Sequence, residues 1–260
     1  MRLTIAVAAH KACPLPEQPP YLPMEAGAAL RAEHLTDSAG RPLARDDEGE
    51  QISARNPTFC ELTVLYRLWK SCGADALGLC HYRRYFAGRR TGPKWSRLLT
   101  EEQALALLED ADCVLPKKRH YFIQSGYDQY AHAHHERDLQ VTRQVLSELP
   151  DPRFAQAFDR TLRRTSGHRF NMLIMRRPLL DEYCEWLFGV LFRVEARLDI
   201  GGYSDTDRRV FGYLAERLLD VWLEVRRPRI RECPVVNTES QHWPRKLLRF
   251  LSRMLRPARQ

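Results

Sequence analysis

Residues 78–86 are Gly78-Leu79-Cys80-His81-Tyr82-Arg83-Arg84-Tyr85-Phe86, and the prediction of the fold starts from them. An apolar run over 76–80 ends here in consecutive side chains that donate hydrogen bonds. Such a run indicates a short buried strand, and in an open α/β sheet ligands bind beyond the carboxyl ends of the strands. Imidazole, phenol and guanidinium groups suit a multiply charged anion such as the diphosphate of a nucleotide. From this segment alone, an ordinary strand that runs into a basic surface turn explains the pattern equally well.

Two other apolar runs also end in cationic residues. The first covers Leu3–Ala9 and the second covers 113–115, and the basic residues that follow them are His10-Lys11 and Lys117-Lys118-Arg119. Because parallel strands end at one edge of their sheet, we expect these cations to converge with those of 81–84. Cations at that edge would stabilise a leaving diphosphate as a metal ion does. A surface that is simply rich in arginine is the alternative, and it is favoured for Arg89 and Arg90.

The spacing of apolar residues predicts the remaining elements. A helix over 56–70 begins with Asn56 as N-cap and Pro57 in its first turn. Apolar residues occupy most of its circumference, so Glu61 is costly there unless it is paired or faces a site. Further helices are predicted over 100–109, 125–149, 152–164, 179–198 and 205–225, and further strands over 170–175 and 235–236. This alternation predicts an α/β domain with a mainly parallel central sheet flanked by helices.

The composition limits the class of protein and its partners. A chain of 260 residues forms one large α/β domain or two small ones, with a core that needs no disulfide or metal. The net charge of +8 implies an acidic partner, which is a nucleotide, a nucleic acid or an anionic lipid. Seven cysteines without a C-x-x-C pair argue against a disulfide framework and a structural zinc site. No run approaches the roughly 18 apolar residues of a membrane span, and no signal-peptide pattern is present, so we expect a cytoplasmic location.

Motifs for metals and common cofactors give weak signals. Asp110-Ala111-Asp112 matches the D-x-D of many nucleotide-sugar enzymes, but it precedes a strand and is predicted to be a turn. His132, His134 and His135 lack a carboxylate or cysteine ligand at a familiar spacing, so we predict a polar site wall rather than a zinc site. P-loop, G-x-G-x-x-G and G-x-S-x-G motifs are absent from the sequence.

The C-terminal residues 239–260 have a different pattern. Apolar residues form one helical stripe and arginines line the other side, with Trp243, Leu247, Phe250, Leu251 and Met254 among the first and Arg245, Arg249, Arg253 and Arg256 among the second. We predict a basic amphipathic helix that lies on an anionic membrane surface. The alternative is a helix docked on the domain or on a sister subunit, which would make the protein a homo-oligomer.

Several motifs in order resemble one bacterial family. They are Ala9-His10-Lys11, Asn56-Pro57-x-x-Cys60-Glu61, Gly78 to Phe86, Leu115-Pro116-Lys117, His132-Ala133-His134, Phe170-Asn171-Met172, Arg209-x-x-Gly212 and Glu216-Arg217-Leu218. The family consists of capsule and exopolysaccharide-synthesis glycosyltransferases long catalogued as a domain of unknown function. The resemblance covers about residues 3–238 and leaves out the C-terminal tail.

The resemblance implies a GT-A-like glycosyltransferase domain over 1–238. Relatives of this kind transfer galactofuranose from UDP-galactofuranose to a lipid-linked surface glycan at the cytoplasmic face of the membrane, which suits the basic tail. The family lacks a working D-x-D, so no metal or other cofactor is expected, although weak binding of a divalent ion stays open. The donor is then a UDP-sugar and no nucleic-acid partner is expected.

The cationic strand ends, taken together with the resemblance, predict the site residues. Those expected at the nucleotide and diphosphate are His10, Lys11, Glu61, His81, Tyr82, Arg83, Arg84 and Lys117. Those expected at the sugar or acceptor are His132, His134, Asn171 and Arg209. A β-linked product from an α-linked donor requires inversion and a general base for the acceptor hydroxyl.

Three carboxylates are candidates for that base: Asp205, Asp207 and Glu216. Glu216 is also explained by a structural pair with Arg217. Asp207 stands where many relatives carry glutamine, so donor or acceptor preference could differ here. Two other functions stay open: a non-catalytic scaffold of a glycan-assembly complex, and a nucleic-acid-binding protein, for which the sequence lacks an RRM, KH or helix-turn-helix signature.

Overall fold

The computed structural model describes residues 1–16, 18–121 and 123–239. These residues form two compact units. The first comprises Met1–Lys117, Phe170–Trp186 and Pro228–Thr238, and the second includes Lys118–Arg169 and Leu187–Arg227. The predicted helix over 239–260 lies outside the described residues except for Glu239, and the predicted domain boundary at residue 238 stays a prediction.

The strands fall mostly in the first unit. They are β1 (Leu3–Ala9), β2 (Tyr21–Glu25), β3 (Ala44–Arg45), β4 (Ala76–His81), β5 (Arg84–Phe86), β6 (Cys113–Pro116), β7 (Arg119–His120), β8 (Ser166–Gly167), β9 (Leu173–Arg176), β10 (Ile230–Cys233) and β11 (Val235–Asn237). Of these strands, β7 and β8 belong to the second unit, where they pair with each other in antiparallel orientation.

The central sheet has the order β10-β6-β9-β4-β1-β2-β3. Parallel pairs join β1 to β2 and β4, β2 to β3, and β6 to β10. Strand β9 runs antiparallel between β4 and β6, and β5 turns back from β4 to pair with β11. The sheet is therefore mainly parallel, which confirms the predicted α/β class. Because β9 is antiparallel, its amino end lies at the same edge as the carboxyl ends of β1, β4 and β6.

The helices surround this sheet in the first unit and make up most of the second. They are α1 (Asn56–Phe59), α2 (Leu62–Ser71), α3 (Glu101–Glu109), α4 (Gly126–Ala131), α5 (Glu136–Ser147), α6 (Arg153–Arg163), α7 (Arg177–Glu195) and α8 (Val210–Arg226). Helices α1, α2 and α3 belong to the first unit, whereas α4, α5, α6 and α8 belong to the second. Helix α7 begins in the first unit and ends in the second.

Two predicted helices are interrupted. The helix expected over 56–70 is broken at Cys60, whose φ of 54° leaves the helical region. The Asn56 side-chain amide donates to the Cys60 carbonyl at 2.8 Å, so a side chain replaces the helical hydrogen bonding at the break. The helix expected over 125–149 consists of α4 and α5, which are separated at 132–135. At Cys60 the apolar spacing continues across the break and therefore does not reveal it.

Other elements differ from the prediction at their starts. The strand expected from residue 170 begins at Leu173, because Phe170 and Asn171 have positive φ values of 81° and 51°. Strands β2 and β3 lie in segments for which no strand was predicted. Pro23 within β2 and the polar residues around β3 are atypical of strands, so the sequence did not predict either strand.

None of the helices in 1–16, 18–121 and 123–239 combines the length and apolar character needed to cross a bilayer.

The buried carboxylate of Asp46 holds the segment that follows β2. The backbone N–H groups of Gly27 and Ala28 donate to it at 2.8 and 2.9 Å, and the hydroxyl groups of Ser53 and Thr63 donate to it as well. Asp46 has no exposed surface. One acceptor therefore satisfies donors from the end of β2, from a turn before α1 and from α2.

We predict that Asp46→Ala lowers the free energy of unfolding by about 3 kcal/mol or more, because it leaves several buried donors without their acceptor. The neighbouring Asp47 is a matched control. Asp47 pairs with Arg45 on a more exposed surface, and Asp47→Ala should cost about 1 kcal/mol or less. Equal losses in urea denaturation of the two variants would contradict the role of Asp46.

Candidate functional site

A cationic cluster lies at the carboxyl edge of the central sheet. His10 and Lys11 follow β1, and Tyr82 and Arg83 follow β4. The rings of His10 and Tyr82 meet edge to face with centroids 4.9 Å apart. Lys11 Nζ and the Arg83 guanidinium carbon lie 5.0 and 5.4 Å from the centre of the Tyr82 ring. We call these four residues the Tyr82 cluster, and its charge and donors can bind an anion.

Strand pairing positions this cluster. Strands β1 and β4 are parallel, with Ala8 opposite His81, and the Tyr82 N–H donates to the Ala8 carbonyl at 3.1 Å. The two strands therefore end together, which brings His10 and Lys11 next to Tyr82. The convergence expected for these two strand ends is present. Lys117 follows β6 with an exposed side chain that forms no hydrogen bond or ion pair within the described part of the chain.

Phe170 and Asn171 precede β9, and they contact other predicted site residues at this edge of the sheet. His81 Nε2–H donates to the Phe170 carbonyl, which fixes the tautomer of this imidazole. The Arg84 guanidinium carbon lies 4.5 Å from the centre of the Phe170 ring. The Asn171 amide nitrogen donates to Glu61 Oε1 at 2.7 Å. His81, Arg84, Glu61 and Asn171 therefore form one connected group.

Backbone strain occurs on both sides of the contact between Glu61 and Asn171. Cys60 precedes Glu61 and has a φ of 54° with a ψ of −133°. Phe170 and Asn171 also have positive φ values. Non-glycine residues in such conformations cost free energy and cluster at functional sites. The strain therefore supports this group as part of a site.

A neighbouring buried carboxylate is neutralised by its own partners. Glu25, at the end of β2, has no exposed surface, and its carboxylate pairs with Arg31 Nε at 3.0 Å and with His34 Nδ1 at 3.2 Å. Arg31 also donates to the His10 carbonyl at 2.5 Å. Sequence reasoning missed Glu25 and Arg31 because β2 itself was not predicted. Glu25 is therefore a structural carboxylate that is paired within the first unit.

A second polar group lies in the second unit and contains Asp207. Asp207 Oδ1 lies 3.4 Å from His134 Nδ1, and its Oδ2 lies 3.8 Å from His135 Nε2. The Ser204 hydroxyl donates to Oδ2 at 2.7 Å. The side chain of Asp207 is almost fully buried, whereas those of His134 and His135 are partly exposed. The structure thus brings two predicted site residues, His134 and Asp207, into contact.

Asp138 extends this group and was missed by sequence reasoning. The hydroxyl groups of Tyr130 and Tyr203 donate to its carboxylate at 2.7 and 2.6 Å. The His135 ring stacks on Tyr203 with centroids 4.2 Å apart. Burial raises the pKa of the Asp138 carboxyl above its usual range. The position of Asp138 within an amphipathic helix gave no sign of these partners.

The other predicted residues of the second unit have different surroundings. His132 Nδ1 contacts the Asp128 carbonyl at 2.7 Å, and Asp205 is exposed. The Arg209 guanidinium carbon lies 5.7 Å from the centre of the Tyr213 ring. Glu216 pairs with the buried Arg217 at 3.0 Å, so the alternative structural pair is present. Of the three candidate bases, Asp207 is the one held between imidazoles.

The D-x-D sequence lies between α3 and β6, at the amino end of the strand. Asp112 accepts hydrogen bonds from the Arg229 backbone and guanidinium, both at 2.8 Å, and Asp110 lies 3.7 Å from Arg231. Across residues 1–16, 18–121 and 123–239, no three His, Cys, Asp or Glu side chains are grouped to hold a metal ion.

A cavity of about 430 Å³ lies in the first unit, away from this edge. Its lining runs from Lys70 to Asp75 and includes Arg177. These residues surround the amino end of β4, which is the end opposite to His81. None of the predicted site residues lines this cavity, so it is not the candidate site.

Comparison with known proteins gives a family and a similar solved structure. Residues 4–227 match the family described as a domain of unknown function, DUF4422. The apo structure of the bifunctional glycosyltransferase WbbM is similar with a TM-score of 0.82 and 24% sequence identity, over 92% of this chain and 46% of that chain. This chain therefore spans less than half of WbbM, and the likeness shows a shared fold. No curated protein matches the sequence.

Because burial raises the pKa of Asp138, folding favours its protonated form. The contribution of Asp138 to the free energy of unfolding is therefore present at low pH and is lost as the pH rises through its raised pKa. We predict that Asp138→Asn gains stability relative to the wild type over this range. The free energy of unfolding, measured by denaturation at a series of pH values, checks this.

For the control variant Asp112→Asn, the expected change in the free energy of unfolding with pH has the opposite sign. The Arg229 guanidinium lowers the pKa of Asp112, so the wild type gains stability from Asp112 as the pH rises above the range where unfolded aspartate titrates. The Asp112→Asn variant should lose stability relative to the wild type over that range. A pH-independent difference for Asp138→Asn would contradict the raised pKa.

Proposed function

Since the chain belongs to the DUF4422 family, we propose that it is a glycosyltransferase that moves a sugar from a nucleotide-sugar donor to an acceptor hydroxyl. The observation that carries this proposal is the Tyr82 cluster, which gathers cations beyond two parallel strands of an α/β sheet. The likeness of the fold to that of a glycosyltransferase supports it. The proposed donor is UDP-galactofuranose, on the strength of the motif resemblance described above. The proposed acceptor is a lipid-linked bacterial surface glycan, reached from the cytoplasmic face of the membrane through the basic tail.

The Tyr82 cluster would act on the leaving group. When the bond between the sugar and the diphosphate breaks, negative charge develops on the diphosphate oxygens. Lys11 and Arg83 would stabilise this charge, and His10 would donate a further hydrogen bond. Fixed positive side chains perform the role that a divalent ion performs in enzymes with a D-x-D, so we propose that transfer does not require a metal.

The group around His81 would bind the rest of the donor. Glu61 and the Asn171 amide can form hydrogen bonds with sugar hydroxyls, and their mutual hydrogen bond at 2.7 Å holds both in place. Because the backbone at Cys60 and Asn171 is fixed in unusual conformations, little reorganisation is needed when a ligand binds. Arg84, held against Phe170, adds a cation to this group.

We propose Asp207 as the general base. In an inverting transfer, the base takes the proton of the acceptor hydroxyl while the acceptor oxygen forms a bond with the anomeric carbon and UDP leaves. Asp207 lies within reach of two imidazoles, which can stabilise its charge and pass the proton on. Glu216 is less suited because Arg217 already pairs with it.

Calorimetric titration of UDP into the protein with EDTA present tests the donor site. We expect saturable binding without a metal. In Arg83→Ala, UDP affinity should fall about tenfold or more, because a charge-assisted contact with the diphosphate is lost. Transfer from UDP-galactofuranose should fall about 100-fold or more in Arg83→Ala and in His81→Ala.

Arg143→Ala is the matched control for this experiment. Arg143 pairs with Asp159 on the surface of the second unit and is exposed, so its loss should leave UDP binding unchanged. UDP binding that appears only with Mn²⁺ would contradict the metal-independent site. Donor binding without any transfer or donor hydrolysis would favour the non-catalytic scaffold.

Asp207→Asn tests the base. We predict that kcat falls about 100-fold or more, since the amide cannot accept the proton. UDP affinity should stay unchanged, which separates a catalytic effect from a binding effect. Asp205→Asn is the control, because Asp205 is exposed and only two residues away. Equal activity of Asp207→Asn and the wild type would remove Asp207 from this role.

A further inference from the structure

Residues 89–97, between β5 and α3, form a loop with a closed base. Gly88 stands just before the loop, and its N–H donates to the carbonyl of Arg97, the last residue of the loop, at 2.9 Å. The Leu99 N–H donates to the carbonyl of Phe86 in β5 at 2.8 Å, so residues 86–88 and 97–99 pair and close the base of the loop. We call residues 89–97 the Trp95 loop. All of its residues except Arg97 are exposed.

All the charged side chains of the Trp95 loop are positive. It contains Arg89, Arg90, Lys94 and Arg97, and the sequence has no aspartate or glutamate between Asp75 and Glu101. Among the residues that the structure describes, the guanidinium groups of Arg89 and Arg90 form no hydrogen bond or ion pair. Intramolecular pairing therefore does not explain this concentration of cations.

Trp95 is the large apolar side chain on this surface. Its side chain is 42% exposed. One side of the indole packs against Tyr85, with ring centroids 5.7 Å apart, and Tyr85 is fully buried. The indole is therefore anchored by the core and still presents apolar surface to solvent. Tryptophan with this combination of apolar body and polar N–H is enriched at membrane–water interfaces.

The described chain leaves the first unit beside this loop. Lys94 Nζ donates to the Thr238 carbonyl at 2.9 Å, and the Thr238 N–H donates to the Arg83 carbonyl at 3.1 Å. The basic, apolar sequence of 243–259 follows Thr238 within a few residues. The Trp95 loop therefore contacts Thr238, the last residue of the first unit.

We propose that the Trp95 loop is a membrane contact that binds the surface of an anionic bilayer. Trp95 enters the headgroup region, and Arg89, Arg90, Lys94 and Arg97 interact with anionic headgroups. Binding to a single-stranded nucleic acid fits the loop less well, because successive bases stack on successive aromatic rings and the loop exposes one. This inference does not rest on sugar transfer.

Co-sedimentation of the full-length protein with lipid vesicles tests the proposal. Vesicles of phosphatidylcholine mixed with phosphatidylglycerol are compared with vesicles of phosphatidylcholine alone. We expect binding only to the mixed vesicles. The double variant Arg89→Glu/Arg90→Glu should bind at least about tenfold more weakly, given the contribution of each cation near an anionic surface. Trp95→Ser should also weaken binding, with its net charge unchanged.

Two control variants match these changes. Arg163→Glu/Arg193→Glu alters the net charge equally at exposed positions of the second unit, and Leu30→Ser removes another exposed apolar side chain, which is 55% exposed. Both should bind vesicles as the wild type does. Thermal unfolding confirms that each variant is folded.

Three outcomes would overturn the proposal. The first is unchanged vesicle binding in both loop variants, which would show that other parts of the chain bind the vesicles. The second is an equal loss in the loop variants and the controls, which would indicate a nonspecific effect of charge. The third is loss of binding to a single-stranded oligonucleotide in the loop variants while vesicle binding persists.

Discussion

Parallel pairing of β1 with β4 is the constraint on which the candidate site depends. With Ala8 opposite His81, the two strands end at the same level, and the residues after them have to share one surface. The close approach of β9 on the other side of β4 depends on Gly78, where a Cβ would lie 3.0 Å from the Leu173 carbonyl oxygen. This spacing brings the amino end of β9, with Phe170 and Asn171 before it, to the edge where β4 ends.

Buried carboxylates organise the chain around this framework in each unit. Each is costly to bury and is retained with several donors around it. In the first unit, Asp46 accepts from two backbone amides and two hydroxyl groups, and Glu25 faces Arg31 and His34. In the second unit, Asp138 accepts from two tyrosines. Asp46 is a satisfied structural group, whereas the group around Asp207 keeps its imidazoles partly open to solvent, as the proposed proton transfer requires.

Local sequence patterns predicted the strands that carry the site. The apolar runs at 3–9 and 76–80 are short and are followed at once by polar residues, so their length and boundaries identify β1 and β4. The break at Cys60 was not predictable, because it is held by the Asn56 side chain and by a backbone conformation that cysteine rarely adopts. The contacts of Asp138 and the pairing of Asn171 with Glu61 join residues far apart in sequence, which no local pattern encodes. Cationic strand ends were therefore visible in the sequence, but the side chains that fix them were not.

The positive φ of Asn171 limits how this edge can change during evolution. Asparagine tolerates this backbone conformation and also supplies the amide that holds Glu61. Glycine would keep the backbone and lose the amide, while glutamine would keep an amide and strain the backbone. A single substitution to either residue therefore cannot preserve both properties, so this edge of the sheet varies more readily at neighbouring residues. In the exposed Trp95 loop the positive φ falls on Gly92, so Trp95 and the cations do not carry this restriction. The proposed affinity for a membrane surface can therefore be adjusted without disturbing the edge of the sheet.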